Sequence, residues 1–427
     1  MSSLPYGKCQ PPMSTLDMAA DVQKLKSRIS FVLELPPSCV EFCSIAPELF
    51  VVGTYQLEEE RERSQATGQQ RKGGLTLFRV KEDILSVVQQ LSTPGGVLDL
   101  HFSPHDPRTL ATALSTGSLC LYKLDQEPVQ LTHQATFNLF PCSILVLSLA
   151  WHPHLPYQIA LSLSDGSVYM IEVMKRESFG VIRNQELHKH DEQAWTLAFS
   201  RISKIEEDPP DIEPTSYCRL FSGGDDAALR SVSFNLIVSA HGSDLQDLEF
   251  HHPLRKPFGA GVTAILPIPP DPQQPDSETR SELLLTGSYD DHVRLINPTS
   301  RTVLAKSNLE GGVWRLKFLE DRNFSPYLVL ASCMHVGARV LRIEDSGTEW
   351  SIKTLAEFTE HQSMCYASDL QPRASVSENP KVDPAASAGA MDAIKEAGPV
   401  RREKSYRCVS TSFYDRLLCV WDFVDTG

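Results

Sequence analysis

The sequence predicts an all-β fold, a seven-bladed β-propeller closed by its own N-terminal strand. Three observations carry this. Six stretches end in one phrase, a short polar turn followed by alternating apolar residues: Thr116–Lys123, Asp165–Glu172, Asp226–Ser233, Asp290–Asn297, His335–Arg342 and Asp415–Asp422. A repeat of this kind marks small sheets that bury their faces only against their neighbours. The last unit has only four residues after Phe423, no room for an outer strand, whereas Ile29–Leu35 near the other end has the length and composition to supply it. Joining first and last segments in one sheet closes the ring and hides strand edges. The repeat is of the WD kind.

Each blade follows from period-two alternation punctuated by turn residues. Blade one takes Cys39–Ser44, Leu49–Tyr55 and Gly74–Val80. Blade two opens at Gly96–Pro104 and continues through Leu110–Leu124. Blade three has Val146–His152 and Gln158–Val173. Blade four has Ala194–Ser200 and Arg219–Phe234. Blade five has Gly261–Pro267 and Leu283–Asn297. Blade six has Gly312–Phe318 and Leu328–Ile343, and blade seven has Met364–Leu370 and Arg407–Phe423. The propeller thus covers 29–424, after a tail at 1–28 in which 14–28 reads as a short amphipathic helix capped by Ser14 or Thr15.

Four excursions interrupt the blades. Residues 201–217, 267–281 and 371–405 fall between first and second strands and so leave one face; 57–73 falls between second and third strands and leaves the other. Their Pro, Glu, Asp and Ser content predicts disorder, because so little apolar area cannot offset ordering entropy.

Bulk properties narrow the function classes. A chain of 427 residues with 41% hydrophobic content can bury a large core, and a formal net charge of −14 argues against a nucleic-acid partner. Ten cysteines are scattered with no Cys-x-x-Cys, which reads as reduced, mostly buried thiols. The start carries no apolar signal run, and Ile144–Trp151 is too short to span a bilayer. The expectation is a soluble protein of the cytoplasm, with the nucleus as a second compartment and no membrane partner. There is no P-loop and no Gly-x-Ser-x-Gly elbow; no cofactor and no metal are expected. His188-Lys-His190 and His152-Pro-His154 lack a companion ligand cluster and read as loops.

Repeat residues are set aside first: Asp165, Asp226, Asp290 and Asp415 hold one turn position, where a carboxylate accepts turn hydrogen bonds. In blade six that place falls to His335, preceded by Cys333 and Met334. The imidazole either caps the turn or supplies a general base. Aligning Ala194-Trp-Thr-Leu with Val313-Trp-Arg-Leu puts Trp195 and Trp314 at one position near the channel mouth. Tyr289, Tyr414 and Tyr55 belong to the same rim. Clustered aromatics mark recognition surfaces, and with the carboxylates Asp225, Asp291 and Glu192 they suit a quaternary ammonium or methylated amine.

Five phrases then carry a resemblance: Val52-Gly-Thr-Tyr-Gln56, Phe221-Ser-Gly-Gly-Asp-Asp226, Thr286-Gly-Ser-Tyr-Asp290, Gly311-Gly-Val-Trp-Arg-Leu-Lys317 and Ala331-Ser-Cys-Met-His335. In this order, across roughly residues 29–424, the chain resembles the WD-repeat family of diphthamide biosynthesis, called diphthine methyltransferase and also diphthine methylesterase. The resemblance implies hydrolysis of the methyl ester of methylated diphthine on translation elongation factor 2, releasing diphthine and methanol. It also implies contact with other enzymes of that pathway. Ester hydrolysis needs a base or nucleophile and a group for the oxyanion. The positional candidates are His335 as base, Arg315 on the oxyanion, Cys333 as a possible nucleophile and His190 as reserve base. Trp195, Trp314, Tyr289, Tyr414, Asp225 and Asp291 are the candidates for binding substrate. The rivals are a non-catalytic scaffold or substrate receptor, since fold does not fix function, and a methyl-lysine reader.

Overall fold

In the computed structural model, the residues described are 22–57, 71–175, 179–201, 204–206, 215–239, 242–270, 282–320, 324–373 and 403–426. They form seven sheets arranged as the blades of a propeller, antiparallel but for one parallel strand at the edge of blade six. The innermost strands are Pro37–Cys43, Val97–Phe102, Val146–Trp151, Ala194–Phe199, Val262–Ile268, Val313–Phe318 and Ala367–Leu370. Second and third strands are apolar on both sides because each sheet packs between two neighbours; Thr109–Leu114, Gln158–Leu163 and Tyr327–Cys333 are buried throughout. The core therefore lies between blades, as in the cluster joining Leu75 and Leu77 of blade one to Val97, Leu100 and Leu110 of blade two.

Ring closure runs as the sequence suggests, with a shift in bounds. Ser27–Val32 pairs antiparallel with Leu417–Asp425, Ile29 opposite Val420 and Phe31 opposite Leu418, and Leu33–Leu35 leads on into blade one. Phe31 meets Phe78 of blade one edge-on at 5.3 Å. The helix expected over 14–28 is corrected where the structure describes it. Gln23–Leu25 is a strand, parallel to Trp350–Phe358 of blade six, and Lys24 pairs there with Glu357. The edge of blade six offers unpaired backbone groups that an isolated helical turn would leave unmet. Residues 14–21 lie outside the described residues.

The expected excursions also fall mostly outside the described residues, and their ends are strand. Arg71–Gly73 pairs in blade one, Pro267 and Ile268 in blade five, and Lys404 and Ser405 in blade seven. Lys204–Glu206 pairs with Thr215–Tyr217 to widen blade four. Among the described residues no helix is long and apolar enough to cross a membrane.

The turn aspartates do the structural work assigned to them. Asp226 accepts from Ala228 N and Arg230; Asp290 accepts from Gly259 N and Arg294; Asp165 accepts from Ser167 and Lys189. In blade seven the Trp421 indole donates to Ser410 Oγ at 2.9 Å, and His361 Nε2 lies 2.7 Å from the same oxygen. This ties the outer layers of the blade to its second strand. A variant lacking residues 27–35 exposes the edge of blade seven and uncovers Phe78 of blade one; its single cooperative thermal transition by circular dichroism is expected to be lost or to fall far below that of the full chain.

Candidate active site at the channel mouth

Six of the seven inner strands carry an irregularity at one repeat position, between Pro37 and Cys39, Val97 and Asp99, Val146 and Ser148, Ala194 and Thr196, Val262 and Ala264, and Val313 and Arg315. The residue left unpaired at such a bulge is re-aimed out of the sheet. Here the seven residues at that position, Ser38, Leu98, Leu147, Trp195, Thr263, Trp314 and Tyr366, all line one pocket at the channel mouth. Blades four, six and seven thus contribute aromatic rings. Tyr55 and Tyr289, from the second strands of blades one and five, complete a pocket of about 100 Å³, and Arg315 forms part of its wall.

The rings are in mutual contact. Trp314 sits at the hub, 5.2 Å from Trp195, 5.7 Å from Tyr289 and 4.9 Å from Tyr366, centroid to centroid. Tyr366 continues through Phe413 to Tyr55. Burial raises the phenols of Tyr289 and Tyr366, the latter to about 12, so they remain neutral donors near neutral pH. Asp225 borders the pocket: its charge bears on Tyr289, and a Cβ on Gly261 would touch both Asp225 and Tyr289. Burial also raises the Asp225 carboxyl, partly offset by the Trp195 N–H, which lies near it without reaching hydrogen-bond geometry.

Arg315 would repel a cation were it bare. Its Nη2 instead lies 2.7 Å from Asp99 Oδ1, and Asp99 is buried with Ser148 Oγ and Leu149 N donating to its other oxygen. Burial alone would raise the Asp99 carboxyl, but Arg315 and His101 hold it well below the usual carboxylate range. A second inward ring lies three residues along each inner strand: Glu41, His101, Ala150, Ala198, Leu266, Lys317 and Asp369. Its charged members come from adjacent blades and are ion-paired. His101 Nδ1 is 2.5 Å from Glu41, and Lys317 Nζ lies 3.4 Å from Glu41 and 3.0 Å from Asp369. The small and apolar members border a cavity of about 600 Å³ lower in the channel, which shares Thr263, Trp314 and Arg315 with the aromatic pocket.

The residues singled out in the sequence are placed unevenly. Trp195, Trp314, Tyr289 and Arg315 converge on the pocket, and Asp225 adjoins it. Tyr414 is 71% exposed, touching Phe413 outside the lining. Asp291 is a left-handed turn residue whose carbonyl accepts from Leu309 N, also outside the lining. His335 is exposed on the blade-six turn, which Arg339 closes by donating to Val336 O. It does not line the pocket. Two roles are corrected. Cys333 is fully buried and its thiol is pushed up to about 12, so it supplies no thiolate nucleophile. His190 has a fully buried side chain, with Nδ1 2.9 Å from Asp226 and Nε2 2.7 Å from Ser222 Oγ, so it braces blade four and cannot reach a substrate.

Tyr366, Phe413 and the charged inner residues were missed. Their signal was the repeat position of Trp195 and Trp314, followed into every blade. Among the described residues, no group of three or more His, Cys, Asp or Glu is arranged to hold a metal ion. If the rings bind a quaternary ammonium, Trp314→Ala is expected to weaken tetramethylammonium binding about three- to thirty-fold by calorimetry, since one such ring contributes roughly 0.5–2 kcal/mol.

Comparison with known proteins adds what geometry alone does not. No family model matches the chain. Solved structures share the fold: Saccharomyces cerevisiae Sqt1 matches with a TM-score of 0.53 at 12% identity over 94% of this chain and 100% of that one. A chain of the mitotic checkpoint complex matches with a TM-score of 0.54 at 13% identity, over 100% of this chain and 98% of that one. At such identities these show architecture alone. Sequence relatives say more. The diphthine methyltransferase of Schizosaccharomyces pombe is 29% identical over 390 residues, spanning 91% of this chain and 94% of the relative. That of Saccharomyces cerevisiae is 25% identical over 393 residues, spanning 79% and 91%. That of Homo sapiens is 26% identical over 367 residues, spanning 79% and 72%. Over most of its length, then, the chain is similar to proteins from fungi, Dictyostelium, human and mouse named diphthine methyltransferase, a name that fits diphthamide biosynthesis.

Proposed function

We propose that the protein hydrolyses the methyl ester of methylated diphthine on translation elongation factor 2, giving diphthine and methanol. The observation that carries this reading is the aromatic pocket with a charge-compensated arginine in its wall. The substrate side chain bears a trimethylammonium group and, a few bonds away, an ester. The rings of Trp195, Trp314, Tyr289 and Tyr366 take the cation by its attraction to their faces. Arg315 then stands where an ester carbonyl of the same side chain can reach it.

In this reading a water oxygen attacks the ester carbonyl carbon and gives its proton to Asp225, the carboxylate beside the pocket whose basicity burial raises. The carbonyl oxygen becomes an oxyanion beside the Arg315 guanidinium. Collapse of the tetrahedral species breaks the bond to the methoxy oxygen, which takes the proton back from Asp225 and leaves as methanol. The carboxylic acid that remains releases the second proton of the water to solvent and is left as the carboxylate. His335, outside the lining, is the alternative base and would act only if the substrate brings the ester to the rim.

The cage alone would equally serve a reader of methylated amines, so the discriminating measurement is mass. Elongation factor 2 carrying the methyl ester is incubated with the protein and the modified peptide analysed by mass spectrometry. Loss of one methylene equivalent with release of methanol supports the esterase; binding without a mass change supports the reader or scaffold. Arg315→Gln is expected to lower kcat by about 10²–10³. Asp225→Asn should lower kcat strongly while His335→Asn leaves it near wild type; the reverse order would move the base to the blade-six turn.

A further inference from the structure

From Arg315, the buried and half-buried charges beneath the pocket form a chain whose other members the hydrolysis scheme does not use. It runs from Arg315 at the pocket wall to Asp99, then to His101, Glu41, Lys317 and Asp369, through four inner strands of neighbouring blades. Each carboxylate is also pinned by backbone: Leu149 N donates to Asp99, Phe102 N to Glu41 and Phe42 N to Asp369. Three acids face three bases, which balances their charges. Fixing the outer shell of a catalytic group is how its geometry is held at the accuracy catalysis demands.

Resting on the esterase reading, we propose that His101 is a positioning residue, which bridges Asp99 and Glu41 so that Asp99 stays locked on Arg315 and the guanidinium keeps one orientation beneath the aromatic pocket. His101 Nε2 lies 3.5 Å from Asp99 Oδ2, and its Nδ1 lies 2.5 Å from Glu41 Oε2. His101 lines the lower cavity and not the aromatic pocket. Only a doubly protonated ring hydrogen-bonds Glu41 through Nδ1 while its Nε2–H and positive charge face Asp99. Burial works against that form, and Asp99 and Glu41 overcome it, raising His101 to about 9.

The sign follows directly. The bridge is present below about 9 and is lost as pH rises through that value, when one of the two carboxylates loses its donor. The other groups facing this network titrate elsewhere. Lys317 is raised above its usual range, and Cys39 is pushed up to about 12. Glu41 and Asp99 are held below their usual range and Asp369 is raised. His154 and Arg201 line the same lower cavity.

Two measurements on the full chain test this. His101→Gln is expected to lower kcat roughly ten- to hundred-fold with KM changed less than about two-fold, and to remove an alkaline limb near 9 from the kcat profile. Wild-type kcat in that variant, or an unchanged alkaline limb, overturns the proposal. Independently of turnover, the His101 ring followed by NMR should titrate near 9 and fall toward the ordinary imidazole range in Glu41→Gln. An ordinary value in the wild type overturns the bridge even if the esterase is active. Absence of any esterase activity together with a high His101 value would sink the hydrolysis reading and leave the bridge standing.

Discussion

The bulge at the head of the inner strands is the constraint on which the rest depends. A regular strand would send alternate side chains into the two inter-blade cores and leave the channel lined by backbone edges. One unpaired residue per blade turns a side chain toward the axis, at Ser38, Leu98, Leu147, Trp195, Thr263 and Trp314, with Tyr366 in the equivalent place of blade seven. The propeller's symmetry then works as a display device. Seven equivalent positions meet at one point, and the choice of residue at each determines what the mouth of the channel recognises.

Below that ring the same geometry gathers charge, which makes the site's electrostatics a collective property. Placing an arginine beside a pocket for a cation is unfavourable unless its charge is met, and Asp99 meets it at 2.7 Å. Asp99 in turn requires donors, and these come from Ser148 and Leu149, with the His101 ring facing it at 3.5 Å. The opposite arc of the ring, Ala150, Ala198 and Leu266, is small or apolar and leaves the lower channel open. All seven blades build the mouth, whereas the charged support comes from blades one, two, six and seven alone, and Trp314 and Arg315 on one strand join the two.

Much of this was legible in the sequence, for identifiable reasons. Period-two alternation and the turn aspartates placed all seven blades, because both are local. The closing strand could be inferred because blade seven lacks one. Trp195 and Trp314 fall at one bulge position of the channel mouth, where a two-blade alignment puts them. Tyr366 did not, since its strand opens on Met364-Cys365 without the phrase that the other two share. His335 drew notice as an exception to a rule about turns, and the fold puts it at a solvent-facing turn outside the pocket lining. His190 and Cys333 looked reactive by residue type, and only the fold shows that one braces a turn and the other lies in a packed strand. The Asp99–His101–Glu41 network joins residues 60 positions apart, and spacing along one blade does not expose it.

Before entering blade seven, the chain's first described strand runs alongside blade six. Gln23–Leu25 lies parallel to that blade's outer strand, and at the crossing the backbone and hydroxyl of Ser27 both donate to Glu360. One short segment therefore straddles the seam between the last two blades like a strap over a lid. Tension applied at Gln23 would peel this three-residue pairing before it loads the strand that completes the ring, so the ring seam is shielded by a contact outside it.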